Sequence, residues 1–153
     1  MYALNSGIPK TLIRYVIDYF THNKEIAPIL HDILDTPISP ELLPHDADEI
    51  TQETESIVGP YELHDFFLYH IIKYGAKPDK VLFLAKKAFD GKYDRDTIRK
   101  WLTLFIKRFF TQQFKRSCMP DGPKVGTISL SPRADWRMPS DADMSAWLEE
   151  LKS

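Results

Sequence analysis

Ile98, Trp101, Leu102, Phe105, Ile106 and Phe109 recur at helical spacing. On an α-helix that spacing gathers all of these side chains into one stripe, whereas on a β-strand it would scatter them over both faces. A chain carrying this stripe must form a helix there and find a surface to cover it. Asp94, just upstream, has the carboxylate to accept the first free N–H groups of that helix.

The same period returns along the rest of the chain. Pro9 suits a first helical position, and Leu12, Ile13, Val16, Ile17 and Phe20 predict an amphipathic helix over about 9–22. A second helix is expected over 25–34, with Pro28 in its first turn and Ile26, Ile29, Leu30, Ile33 and Leu34 as its buried face. It should break at Thr36-Pro37. Gly59-Pro60 starts a third that runs to Gly75 as its C-cap, with Leu63, Phe66, Phe67, Ile71 and Tyr74 on its apolar side. Pro78 opens a fourth, to about Phe89. Ser140, with Asp143 three residues later, resembles a capping box for a last helix through Trp147 and Leu151. No segment reads as a strand and no repeat is present, so the expected fold class is mainly α. The opening residues MYALN show no helix signal, yet are apolar enough to belong to something packed.

A chain of 153 residues fits a single domain over 1–153. Its net charge of -2 gives no general attraction to nucleic acid, so any charge signal has to be local. The single cysteine, Cys118, rules out an internal disulfide framework and fits a reducing, cytoplasmic setting. No apolar run reaches the roughly 18 residues of a membrane span, and no basic-then-apolar signal opens the chain. Neither a membrane nor secretion is implied.

Two stretches stand apart in charge. From 41 to 65 every charged side chain is acidic, as expected of an exposed loop. From Lys107 to Arg137 the balance reverses: Lys107, Arg108, Lys115, Arg116, Lys124, Arg133 and Arg137 face only Asp121 and Asp135. Such a segment can close over a phosphorylated ligand, lysine as a compact charge and arginine as a bidentate fork, or can simply form a solvated face. Stacking on nucleic acid needs exposed rings, but the helical period sends Phe105 and Phe109 inward, so no nucleic-acid partner is expected. Trp136 is the ring best placed to pack the segment down.

His22, His31, His45, His64 and His70 have no metal-ligand spacing, and His64 and His70 do not share a helix face, so no metal site is expected. No partner histidine or asparagine marks Cys118 as a nucleophile. In Thr36-Pro37-Ile38-Ser39-Pro40-Glu41 two prolines fix a short turn whose hydroxyls can either meet a phosphate or ribose or cap backbone groups. Neither a Walker-type nor a Rossmann-type glycine loop occurs, nor a Ser-Gly-Gly phosphate loop.

Taken together, YALNSGIPKTLIRYVIDYF, ILDTPISPELLP, VGPYELHDFFLYHIIKYG, QQFKRS and GPKVGTISLSPRADWRMPSDA resemble, in that order, the C-terminal part of glutamine-dependent NAD synthetases. The resemblance implies an α/β synthetase domain of the ATP-pyrophosphatase type (adenine nucleotide alpha hydrolase-like), of which this chain would be the C-terminal helical fragment. It implies a glutaminase module that releases ammonia and a synthetase module that adenylates deamido-NAD with ATP, so that ammonia displaces AMP to give NAD. The phosphate loop, the Mg²⁺-binding acidic positions and the glutaminase module would lie outside this stretch. The stretch alone is therefore expected to be inactive and to hold neither ATP nor Mg²⁺. Cytoplasmic homo-oligomers acting on deamido-NAD, ATP and glutamine are implied for the whole enzyme.

Residue by residue, the resemblance places Lys115 at a deamido-NAD contact and Ser39 at an ATP contact, and makes 117–140 an extended, substrate-closing segment. It assigns no catalytic residue to this stretch. Arg116, Lys124, Arg133 and Arg137 stay open between phosphate contact and bracing the segment, with Asp135 and backbone carbonyls as expected partners for Arg133 and Arg137. Ser6 stands where simpler, ammonia-dependent synthetases carry an ATP-contacting lysine, with Lys10 close enough to substitute. The alternative is a non-catalytic helical binding or regulatory module derived from that enzyme.

Overall fold

The computed structural model describes residues 3–5, 7–36 and 58–152. Among them are seven helices: α1 (Lys10–Phe20), α2 (Ala27–Asp35), α3 (Tyr61–Tyr74), α4 (Pro78–Ala88), α5 (Arg95–Thr111), α6 (Gln113–Ser117) and α7 (Ser145–Glu150). No strand occurs among the described residues. Ser6 and Ser39, with the 41–57 part of the acidic stretch, lie outside them.

The chain forms two compact units, one of residues 9–61 and one of residues 1–8 with 62–153. In the smaller unit α1 packs on α2, and the Arg14 guanidinium donates to the Leu34 carbonyl at 3.1 Å. Neither helix contains a buried residue. The faces expected inside are only partly covered: Ile13, Ile17, Leu30 and Leu34 are half-buried, while Val16 is 46% and Ile29 63% exposed. Two short helices offer each other only one line of contact, too little to cover both stripes.

The larger unit holds the core. Leu63, Phe67 and Ile71 on α3, Val81, Leu82 and Ala85 on α4, and Ile98, Leu102, Phe105, Ile106, Phe109 and Phe110 on α5 are buried together, with Leu151 just beyond α7. The α5 stripe is thus the spine of the fold. Its start is fixed by Asp94, which accepts from the Thr97 N–H and hydroxyl, each at 2.8 Å. Its far end stops at Gln112, and Phe110, which sits beside the expected stripe, is buried with it. On α3 the apolar side is narrower than its composition suggests, because Tyr74 in the last turn is 63% exposed. Gly75 then reverses the chain at φ 59°, a conformation that costs an L side chain about 1–2 kcal/mol.

The last helix departs from expectation. It starts at Ser145, not after Ser140, because Asp143 accepts from the Ser145 N–H at 2.8 Å and its hydroxyl at 3.1 Å. The carboxylate expected at the third helical position is itself the group that turns the chain into the helix.

Acid should weaken this unit in two steps. His70 packs on Phe66 with ring centroids 4.3 Å apart, and burial holds its imidazole below the ordinary value near 6.5. Burial pushes the Glu62 carboxyl up, but hydrogen bonds from Lys92 at 2.8 Å and Tyr93 at 2.6 Å outweigh it and leave it lowered. Asp94 is lowered by the Thr97 bonds. In each case the folded value lies below the unfolded one, so the stability is complete above the unfolded pKa and lost as pH falls through the folded one. The thermal midpoint should begin to fall below about pH 6.5 and fall again through the carboxylate range. His70→Asn should remove the first step, and a flat midpoint between pH 7 and 5 in the parent would contradict it.

Candidate functional site: a braced basic segment beside Lys115

The segment after α5 is built around one ring. Phe109 stacks on Phe105 at 5.6 Å, meets Trp136 of the loop at 5.1 Å and Trp147 of α7 at 6.5 Å, and carries the Arg116 guanidinium 4.4 Å above its centroid. Four pieces of the larger unit therefore meet at a single side chain. Trp136 is the ring that packs the loop down.

Local chemistry shapes the rest. In ISLSPRAD the Ser131 N–H bonds to the Ser129 hydroxyl and the Arg133 N–H to the Ser131 hydroxyl, each at 3.3 Å, so two serines fold successive turns. Asp135 closes the turn by accepting from the Ser129 N–H at 2.7 Å. It also pairs with Lys124 at 2.7 Å, and that ammonium first, then the Ser129 N–H, holds its carboxyl below the usual carboxylate range. The N-terminal stretch lies along this loop: the Ala3 N–H bonds to the Asp121 carbonyl at 2.8 Å, and Gly7 lies close to Pro123 and Ser129.

The basic residues divide by what they hold. Arg133 reaches Asp121 at 2.6 Å and the Met119 carbonyl, and Arg137 donates to the Pro132 carbonyl at 2.6 Å. Asp135 takes Lys124 instead of either arginine, because the serine turns bring its carboxylate back toward position 124. Arg116, only 9% exposed, donates to the Gln113 side-chain carbonyl at 2.9 Å and to the Phe109 carbonyl. All four of these cations brace the chain. Lys115, between the buried Arg116 and the 53% exposed Phe114, is exposed and makes no side-chain hydrogen bond or ion pair among the described residues.

Helix α6 carries no start signal or apolar period of its own. The α5 pattern ends in aromatics and the next residues are polar, so Gln113 reads as surface, yet it is 1% exposed. Its partner was legible only as an i, i+3 pairing of Gln113 with Arg116. For Ser129 and Ser131 the signal in the sequence is the alternation of hydroxyls before a proline, a turn pattern.

In the smaller unit Lys10 lies 4.9 Å above the Tyr61 ring, its ammonium 3.5 Å from the hydroxyl. Among the described residues no three His, Cys, Asp or Glu side chains converge, so they supply no carboxylate set for a magnesium ion. Cys118 is free and exposed. No described helix is long and apolar enough to cross a membrane.

The fold and segment define a helical module that braces a basic loop and presents a lysine at its foot. No family model matches the chain. Over 99% of its length it is 42% identical to a glutamine-dependent NAD(+) synthetase of Mycobacterium leprae, and over 98% it is 40% identical to those of Mycobacterium tuberculosis and Mycobacterium bovis. The chain is thus a homologue of a stretch of glutamine-dependent NAD(+) synthetase, and it spans 25% of the length of these relatives.

Proposed function

We propose that the chain supplies part of the deamido-NAD site of a glutamine-dependent NAD(+) synthetase, with Lys115 as a contacting cation. The observation that carries this reading is the similarity over 99% of the chain, which supports placing the exposed Lys115 at a substrate position. The substrate is a dinucleotide with a pyrophosphate and a carboxylate. A fixed ammonium offsets that negative charge, and more so as charge develops in the reacting group. The same kinship supports the wider reading: an ATP- and glutamine-using, Mg²⁺-dependent, cytoplasmic homo-oligomer, with an α/β ATP-pyrophosphatase-type domain completed by this chain and Ser39 at the ATP.

In the enzyme containing this chain, Lys115→Ala should lower kcat/KM for deamido-NAD by about 10- to 150-fold. A lost charge-assisted hydrogen bond is worth about 1.5–3 kcal/mol, and 1.36 kcal/mol is tenfold. Glutamine hydrolysis measured without the synthetase step should stay close to the parent. Unchanged kinetics toward deamido-NAD would remove Lys115 from the site.

A further inference from the structure

Helix α6 has five residues, too few to hold its shape without tertiary anchors. Its buried residues are Gln113 and Arg116, one turn apart on one face, while Phe114 and Lys115 face out. Arg116 ties α6 to the last turn of α5. Its guanidinium lies 4.4 Å over the Phe109 ring, its Nε donates to Gln113 at 2.9 Å, and an Nη donates to the Phe109 carbonyl. That carbonyl belongs to the helix end where acceptors outnumber N–H donors and the dipole is negative, which favours a cation. Stability alone does not call for an arginine here, since taking a guanidinium out of water is costly and an apolar side chain would fill the space more cheaply. What the arginine adds is direction: Gln113, on α6 itself, holds the planar fork at its Nε, and the fork then meets the Phe109 carbonyl and ring of α5, which sets how α6 is turned against α5.

We propose that Arg116, locked by Gln113 and by the ring and carbonyl of Phe109, is a positioning residue that aims the neighbouring Lys115 ammonium. The inference rests on the proposed role of Lys115. A misplacement of about 1 Å can cost a positioned group as much as 100-fold, so the anchor should show in substrate use while leaving the fold in place.

The test uses the enzyme that contains this chain. Arg116→Met keeps the stem and removes the donors, and should raise KM for deamido-NAD about tenfold with KM for ATP and glutamine hydrolysis unchanged. A merely structural role would instead reduce the amount of active enzyme and lower kcat with every KM intact. Gln113→Leu, which removes the acceptor, should shift KM in the same direction, and Gln113→Glu, which keeps it, should restore parent behaviour. This pair decides the matter if Arg116→Met does not fold. In the Lys115→Ala background Arg116→Met should add nothing, because a residue acting through Lys115 has nothing left to aim. If Lys115→Ala impairs deamido-NAD use but Arg116→Met and Gln113→Leu leave KM unchanged, or add to it independently, positioning by Arg116 is overturned while the site reading stands. If Lys115→Ala changes nothing, the site reading falls, and this inference with it.

Discussion

Phe109→Ala should destabilise the larger unit by about 3–5 kcal/mol, the range for removing a buried aromatic ring. The loss is large against the roughly 5–15 kcal/mol that holds a domain of this size. Phe109 is 4% exposed and meets Phe105, Trp136, Trp147 and Arg116, so its removal leaves a cavity bordered by α5, α6, α7 and the loop. No single neighbour can collapse into that space without leaving another. Urea unfolding should show the lower midpoint. Trp136 and Trp147 fluorescence should shift to the red, and protease should cut within 119–137 at lower enzyme concentration. Phe114→Ala is the control: that ring is 53% exposed, and its loss should stay within about 0.5 kcal/mol. Equal losses for the two phenylalanines would deny Phe109 its central place.

Ile106→Asp should leave little folded protein at neutral pH. Ile106 is fully buried on the inward face of α5. A carboxyl there has its pKa raised by about 3–5 units, which at 1.36 kcal/mol per unit costs about 4–7 kcal/mol in the ionised range. Losing the burial of an isoleucine adds about 1.5–3 kcal/mol. The sum rivals the whole stability of the domain. The pH dependence identifies the cause: the folded pKa lies above the unfolded one, so the variant is least impaired below about pH 4 and loses stability as pH rises. Circular dichroism across pH should show helix recovered on mild acidification, against the trend of the parent. A variant equally unfolded at pH 4 and pH 7 would point to steric disruption instead of charge.

Helix positions were legible from the sequence because their signals are local. Asp94 caps α5, Pro78 opens α4 and Gly75 ends α3 where the residue types require. Periodicity failed where burial depends on what arrives from elsewhere. Val16 and Ile29 repeat as regularly as Ile98 and Leu102, yet only the latter pair is covered. The same limit hid the work of the basic residues. Composition leaves Arg116, Lys124, Arg133 and Arg137 open between ligand and brace, and the choice depends on carbonyls and carboxylates as far as 14 residues away. Lys115 itself was singled out by resemblance to a family, not by any property of its charge.

The sequence by itself determined a mainly helical chain, the strongest stripe on α5, and a basic segment following it. Those features follow from backbone propensity, capping and a 3.6-residue period, all satisfied within a few residues. Only the tertiary structure decided which stripe became core, that Gln113 and Arg116 turn inward while Lys115 turns out, and that Phe109 is the point on which the loop closes. Burial and charge pairing are properties of two surfaces at once, and a single chain segment specifies only its own side of each.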